Sequence, residues 1–269
     1  MREPQTRAIH LKDYAAPAFR VETVELDVDI RESDALVRAI LEVRRNAAGP
    51  LVLDGDELEL VSVAVDGRPA RHEVTPETLT VHDVPDAFTL ETVSRIVPQQ
   101  NTKLEGLYAT KHGFVTQCEA QGFRRITWFI DRPDVMARYT TTVRADKAKY
   151  PVLLSNGNLL ASGSEAKGRH WARFADPFPK PSYLFALVAA NLDVLKDEMT
   201  SRSGEKKQLF VYVEPGKLDQ AGWAMACLKR AIAWDEKRFG LELDLDQYKI
   251  VAVGDFNSGA MENKGLNIF

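Results

Sequence analysis

The chain has 269 residues, 45% of them hydrophobic and 28% charged, which is enough for one large domain or two domains with a sizeable core. The formal net charge of -4 offers a nucleic acid no basic surface, so no nucleic-acid partner is predicted. No stretch approaches the roughly 20 apolar residues of a membrane helix, and the start at Met1 has no apolar leader, so we expect a cytoplasmic protein without a membrane partner.

Residues 20–190 alternate apolar and polar side chains with a period of two, which predicts half-buried β-strands. In residues 24–30 every second side chain is apolar. Residues 37–43 repeat the pattern, and residues 58–65 lead into Asp66-Gly67, a pair suited to a tight hairpin turn. Further strands are predicted at residues 79–82, 88–96, 113–118, 138–143, 169–174 and 184–190.

Many short strands separated by turn signals indicate an antiparallel β-sandwich or a saddle-shaped sheet. We therefore predict a mainly β N-terminal domain at residues 1–190. Near its end, Pro177, Pro179 and Pro181 are predicted to form a rigid extended connection, because proline has no N–H to donate to a β-ladder.

After residue 190 the periodicity changes to that of an α/β unit. Strands are predicted at residues 208–213 and 248–253, and the apolar residues between them fit one amphipathic helix. Lys237 and Arg238 in its last turn, followed by Gly240, favour a helix end at this point. The apolar positions of the helix are Leu218, Ala221, Met225, Leu228, Ile232 and Phe239.

The last predicted strand leads towards a run of small residues, Gly259-Ala260-Met261-Glu262-Asn263. By itself the run is a turn, and most such turns bind nothing. In a functional interpretation, Gly259 and Ala260 let backbone groups approach a ligand closely, and Glu262 presents a carboxylate to a cation. The spacing alone does not decide between the two.

The run resembles the signature with which zinc aminopeptidases of the M1 (gluzincin) family hold the free amino end of a peptide, and the resemblance extends over the whole chain. It implies that residues 191–269 are the incomplete start of an α/β, thermolysin-like catalytic domain. Other matching motifs are Thr-Gln-Cys-Glu-Ala-Gln-Gly at 116–122, Asp-Arg-Pro-Asp at 131–134, Leu-Ser-Asn-Gly-Asn at 154–158, Asp-Pro-Phe-Pro-Lys-Pro at 176–181 and Trp-Asp-Glu-Lys-Arg-Phe-Gly at 234–240.

The resemblance also implies which residues bind substrate. Glu262 matches the glutamate that pairs with the α-ammonium group of the peptide, Glu119 matches a second such carboxylate, and Gln117 a polar contact beside it. Two carboxylates suit the task, because an ammonium group loses its water on entering a closed pocket. Without the resemblance, Glu119 is a solvated charge at a strand end. The implied substrate-binding residues are Gln117, Glu119, Gly259, Ala260, Met261, Glu262 and Asn263.

Two other groups of residues are left out of the site. The charge-rich stretch with Arg124, Arg125, Asp131 and Arg132 fits either a pocket wall or a surface ion-pair network, and the network is the more common of the two. The cysteines, Cys118 and Cys227, lie far apart in sequence and are expected to be reduced thiols.

The M1 family needs zinc, held by two histidines one helical turn apart and by a distant glutamate. None of the histidines has a second one four residues on, and His72-Glu73 continues with Val-Thr-Pro, which supplies neither a ligand nor a helix. The zinc ligands, the general base and the oxyanion-stabilising tyrosine are therefore expected downstream, and this chain alone is predicted to be inactive. The histidines are His10, His72, His82, His112 and His170.

Two hypotheses from different classes follow. In the first, the chain is the N-terminal part of a zinc-dependent aminopeptidase of the alanyl type that removes N-terminal amino acids from peptides. Its partners are then peptides with a free N-terminus and the missing C-terminal part of its own chain. In the second, the chain is a non-catalytic module that binds peptide N-termini. A purely structural β-sandwich is a third alternative, but it leaves the signature unexplained.

Overall fold

The computed structural model describes residues 10–269, so the prediction about the start at Met1 lies outside the described residues. In this range β-strands dominate, with one α-helix, α1 (Ala221–Phe239), and no helix there is long and apolar enough to cross a bilayer. The strands are β1 (Phe19–Ile30), β2 (Ala35–Arg45), β3 (Leu51–Asp54), β4 (Glu59–Val65), β5 (Arg68–Pro69), β6 (His72–Val74), β7 (Thr78–Val81), β8 (Ala87–Ile96), β9 (Gly106–Thr110), β10 (Gly113–Gln117), β11 (Met136–Asp146), β12 (Val152–Ser155), β13 (Asn158–Ser164), β14 (Arg169–Pro181), β15 (Leu187–Ala190), β16 (Asp193–Thr200), β17 (Lys206–Val213), β18 (Gln247–Val251) and β19 (Leu266–Ile268). Short 3-10 helices lie at Leu11–Asp13, Pro98–Gln100, Phe123–Arg125, Ala166–Gly168, Ser182–Leu184 and Leu218–Gln220.

The largest sheet has the strand order β13-β14-β11-β1-β2-β8-β4-β5. The predicted alternation along β1 is confirmed, because Val24 and Leu26 are buried while Glu25 and Asp27 face outward. Full burial of each such apolar side chain contributes roughly 1.5–3 kcal/mol, which fixes the face that β1 turns to the core. The Asp66-Gly67 hairpin turn between β4 and β5 is confirmed as well, with φ of 49° and 74° at its two residues.

Two details of this sheet differ from prediction. Strands β1 and β11 pair in parallel, within an otherwise antiparallel set of described neighbours. The proline-rich stretch is not a connection, because β14 continues through it. The ladder between β14 and β11 shifts register after Asp176 and resumes at Lys180, so the shift takes up Pro177 and Pro179, which have no N–H to donate.

Two smaller sheets pack with the large one around a common core. Their strand orders are β3-β7-β6 and β12-β15-β10-β9. Leu51 and Leu79 from the first, and Phe114 and Leu187 from the second, join Leu26 of the large sheet in one buried cluster. This part of the chain is therefore the mainly β region that the sequence predicts.

The second region is an α/β unit with strand order β16-β17-β18-β19. Strands β17, β18 and β19 run parallel, and α1 connects β17 to β18. The helix ends as predicted, since Gly240 has φ 72° and its N–H donates to the Glu236 carbonyl. Two predicted core positions of the helix are wrong, because Leu218 precedes α1 in a 3-10 turn and Phe239 is exposed. The domain boundary after residue 190 stays a prediction.

Candidate functional site

The run Gly259 to Asn263 enters a short β-hairpin with β19. Met261 and Ile268 exchange two backbone hydrogen bonds, of 2.8 and 3.0 Å between N and O. The hairpin turns at Asn263–Leu266, where the Leu266 N–H donates to the Asn263 carbonyl over 3.0 Å. Gly265 in this turn has φ 69°, a conformation that favours glycine, and a Cβ there would lie 2.6 Å from Leu245 Cδ1.

Successive side chains of the extended segment before the turn point to opposite sides. Met261 and Asn263 are buried, whereas Gly259, Ala260 and Glu262 are exposed. A ligand at this surface can therefore meet the Glu262 carboxylate and the backbone at Gly259 and Ala260. The side chains of Met261 and Asn263 face the interior.

Strand β10 carries the other predicted residues at its end. Gln117 is its last residue, and both Gln117 and the following Cys118 are buried. Glu119 lies in the next turn and is exposed. Burial raises the pKa of the Cys118 thiol well above its usual value, so the neutral thiol acts as a small apolar side chain. Glu119 is thus the accessible charge at this strand end.

The two segments belong to one packed unit. Leu266 and Ile268 of the hairpin share a buried cluster with Tyr108 of β9 and Val115 of β10. On the same flank, Asn257 Nδ2 donates to the Leu104 carbonyl over 2.6 Å.

The strand register connects this flank to the end of β10. Leu104 lies two residues before Gly106, which pairs with Gln117, so the segment before the signature meets the sheet at the end where Glu119 lies. Among the described residues no hydrogen bond or ion pair joins Glu119 directly to Glu262.

The turn after Glu262 is held by residues that sequence reasoning did not assign to the site. Asn156 Nδ2 donates to the Lys264 carbonyl over 2.9 Å. The backbone N–H of Lys249 donates to the Gly265 carbonyl over 3.1 Å, and its Nζ donates to the Gly157 carbonyl over 2.6 Å. Asn156 and Gly157 belong to a motif that supported the family resemblance, which was the one available signal.

A second such motif contacts the same turn. Lys264 Nζ sits 4.7 Å from the centre of the Phe178 ring. Lys180, four residues after Asp176, places its Nζ 3.3 Å from Asp176 Oδ2 and 3.8 Å from the centre of the Tyr139 ring. Burial lowers the pKa of Lys180 to about 8, although the Asp176 carboxylate acts in the opposite direction. The Asp-Pro-Phe-Pro-Lys-Pro motif thus contacts the hairpin turn through Phe178.

The charge-rich stretch 124–132 is a surface ion-pair network only in part, since Arg132 pairs with Asp134 at the surface. Asp131 and Arg125 are buried. Arg124 Nε donates to Asp131 Oδ2 over 3.0 Å, and Ser182 Oγ donates to Asp131 Oδ1 over 2.5 Å. Since Asp131 is taken out of water, these bonds replace its hydration and tie the stretch to the core. Its residues remain outside the site.

A zinc site does not fit the part of the chain that the structure describes. Residues 10–269 contain no group of three or more His, Cys, Asp and Glu side chains arranged to hold a metal ion. Two of the described histidines contact separate backbone carbonyls, with His72 Nδ1 2.8 Å from the Ala70 carbonyl and His170 Nε2 2.8 Å from the Tyr150 carbonyl. No catalytic step through zinc is therefore assigned to these residues.

Comparison with known families now identifies the class of protein. Residues 23–184 match the model of the Peptidase M1 N-terminal domain, and residues 223–269 match that of the Peptidase family M1 domain. The first match alone covers more than half of the chain. The chain belongs to the M1 peptidase family.

Several relatives that align with nearly the whole of this chain are named aminopeptidases. Aminopeptidase N of Escherichia coli strain K12 is 51% identical over 270 residues, which cover 99% of this chain and 31% of the relative. Aminopeptidase N of Caulobacter vibrioides is 53% identical over 274 residues, covering 100% and 32%. The solved structure of Legionella pneumophila aminopeptidase A in complex with aspartic acid matches with a TM-score of 0.92 and 37% identity, covering 96% of this chain and 31% of that one. The chain thus spans less than a third of the length of these relatives.

Proposed function

We propose that this chain forms the amine-recognition part of an M1 aminopeptidase that releases N-terminal amino acids from peptides. Glu119 and Glu262 are the carboxylates that bind the α-ammonium group. Gln117 supports them, and the backbone from Gly259 to Asn263, with Met261 at its centre, runs beside the bound peptide. Membership of the M1 family implies that the complete enzyme uses zinc, and we propose that residues outside these 269 supply its ligands.

The observation that supports the proposal most directly is the pattern of exposure on two segments that pack together. Glu119 and Glu262 are exposed, whereas their neighbours Cys118, Met261 and Asn263 are buried. Each segment therefore presents one carboxylate and little else that is charged. The relatives support it too, since they are named aminopeptidases and one solved relative holds an amino acid.

Amine recognition explains how such an enzyme measures one residue from a chain end. A free ammonium group is attracted to two carboxylates that replace its lost water by charge-assisted hydrogen bonds. An N-acetylated peptide has neither the charge nor the three donors, so it leaves two desolvated carboxylates without a partner. The site therefore rejects blocked peptides.

The proposal predicts a large effect of Glu262→Ala in a complete M1 peptidase that carries this chain. In the enzyme–substrate complex the bound ammonium group covers the Glu262 carboxylate, which is exposed in this chain, so loss of this partner should cost about 2–5 kcal/mol of transition-state binding, seen as a lower kcat/KM for alanine 4-nitroanilide. Glu198→Ala is the matched control. Glu198 is an exposed glutamate on β16, which lies at the opposite edge of the sheet from β19, the strand that pairs with the signature hairpin. Equal kcat/KM for Glu262→Ala and the parent would refute the assignment.

A further inference from the structure

The turn that follows Glu262 depends on one buried amide of the β-region. The Asn156 side chain is 3% exposed and makes three hydrogen bonds. Its Nδ2 donates to the Lys264 carbonyl over 2.9 Å and to the Leu184 carbonyl over 3.0 Å. Its Oδ1 accepts from the Ala186 N–H over 2.7 Å. Both amide hydrogens are therefore committed, one of them to the signature hairpin.

This contact joins parts of the chain that are far apart in sequence, since 108 positions separate Asn156 from Lys264. Two bonds tie Asn156 to the backbone at Leu184 and Ala186, next to strand β15, so its position is set by the core of the β-region. The third bond, to the Lys264 carbonyl, holds the hairpin turn to this fixed side chain. Asn156 thus fixes the position of the hairpin relative to the sheet that contains β10, the strand that precedes Glu119.

Lys249 reinforces the same junction from the other side. Its Nζ donates to the carbonyl of Gly157, the residue after Asn156, while its backbone N–H donates to the Gly265 carbonyl. Gly157 packs closely against the backbone of β14, since a Cβ there would lie 2.0 Å from the Ala175 carbonyl oxygen. The 156–157 segment is therefore a firm support for the 264–265 turn.

We propose that Asn156 is a positioning residue for amine recognition, which holds Glu262 at the substrate ammonium group by binding the Lys264 carbonyl. The inference rests on the proposed function of Glu262. Glu262 lies two residues before Lys264, and the Asn263 carbonyl closes the turn by accepting from Leu266. A carboxylate that must replace the water of a cation needs a fixed place, because a small misplacement weakens the bond.

Asn158, two residues after Asn156, provides a matched control. Asn158 also joins the β-region to the second region, with Nδ2 donating to Asp246 Oδ2 over 2.9 Å and Oδ1 accepting from the Asp246 N–H over 3.1 Å. Its side chain makes no hydrogen bond to the signature hairpin in the described residues. Asn158→Ala therefore removes bonds between the two regions without releasing the turn after Glu262.

The test is a double-mutant cycle in the complete peptidase, with kcat and KM measured on alanine 4-nitroanilide. We expect Asn156→Ala to lower kcat/KM roughly tenfold and Asn158→Ala to leave it within about twofold. In a Glu262→Gln background, the Asn156→Ala effect should fall below about twofold, because no carboxylate remains to be positioned. Asn156→Ser, whose hydroxyl retains one donor, should lie between parent and Asn156→Ala, and it replaces Asn156→Ala if that variant does not fold.

Each other outcome overturns the inference in a distinguishable way. If Glu262→Gln equals the parent, the proposed function falls and this inference with it. If Glu262→Gln loses activity but folded Asn156 variants do not, only the positioning role falls. Equal losses from Asn156→Ala in both backgrounds would mean that Asn156 acts on the fold alone.

Discussion

Two lysines lie in the interior beside the hairpin turn, where charged side chains are rare. Lys180 and Lys249 are each 1% exposed. Lys180 has the Asp176 carboxylate as a partner, whereas Lys249 has the Gly157 carbonyl and the face of the Phe174 ring, 5.1 Å away. Burial lowers the pKa of Lys249 to about 8. The junction that supports Glu262 is therefore sensitive to the protonation of this side chain.

This burial predicts a pH dependence of stability. Lysine in an unfolded chain has a pKa near 10.4, so from about pH 8 to pH 10 the unfolded chain holds a proton that the folded chain has released. Stability from this group consequently rises with pH across that window, by about 1.4 kcal/mol per pH unit. Lys249→Met should lower the slope of the free energy of unfolding against pH by that amount, measured by urea unfolding. Comparison with the parent cancels the opposite contribution of the buried Cys118 and tyrosines, and parallel slopes would contradict the prediction.

Sequence patterns identify residues whose chemistry is visible locally. Glu262 and Glu119 could be selected because each sits in a short motif with a family counterpart. Asn156 also lies in such a motif, but its role and that of Lys249 could not be predicted, because they arise from contacts 108 and 92 residues away in the chain. Neither periodicity nor composition registers such contacts. The burial of Asp131 was missed for the same reason, since its partner Ser182 is 51 residues distant.

Elements were predicted well where they lie inside a sheet. Strands β1, β2 and β8 are interior strands of the large sheet, and their alternation is plain in the sequence. The strands without a prediction, β3, β5, β6, β9, β12, β13 and β16, all lie at sheet edges. An edge strand pairs on one side only and needs little apolar alternation, as the largely exposed β13 illustrates. The parallel pairing of β1 with β11 is a long-range choice that neither strand reveals alone.

Two glycines at the ends of elements allow the cost of a left-handed backbone conformation to be separated from the cost of a steric clash at Cβ. Gly240, after α1, has φ 72° and nothing within 4 Å of a Cβ, whereas Gly157, before β13, has φ 82° and backbone 2.0 Å away. Gly240→Ala should therefore cost roughly 1 kcal/mol, from the left-handed backbone alone. Gly157→Ala should cost a further 1–3 kcal/mol or so, because Ala175 must move. Denaturant unfolding of both variants tests this, and equal losses would show that the Gly157 site relaxes freely.

At the scale of the whole molecule, the β-region and the α/β unit meet through a buried apolar cluster. It joins Tyr108 and Val188 of the first to Val251 and Leu266 of the second. The cluster places the two proposed carboxylates on parts of one packed body rather than on separate units. An amine site built across this junction would require both regions.

The sequence also predicts that these 269 residues alone do not hydrolyse peptides. The prediction follows from the missing pair of histidines four residues apart, which the family needs for zinc. The purified 269-residue chain should show no turnover of alanine 4-nitroanilide with added zinc. Turnover that co-purifies with the chain and disappears with a chelator would prove this wrong.

The most direct test of the account asks whether Glu119 and Glu262 bind one ammonium group together. In the complete peptidase, kcat/KM on alanine 4-nitroanilide is measured for the parent, Glu119→Gln, Glu262→Gln and the double variant. Each single substitution should lower kcat/KM, and the double variant should depart from the product of the two effects by a coupling of about 0.5–3 kcal/mol. Effects that simply multiply, or a single variant equal to the parent, would contradict a shared amine site.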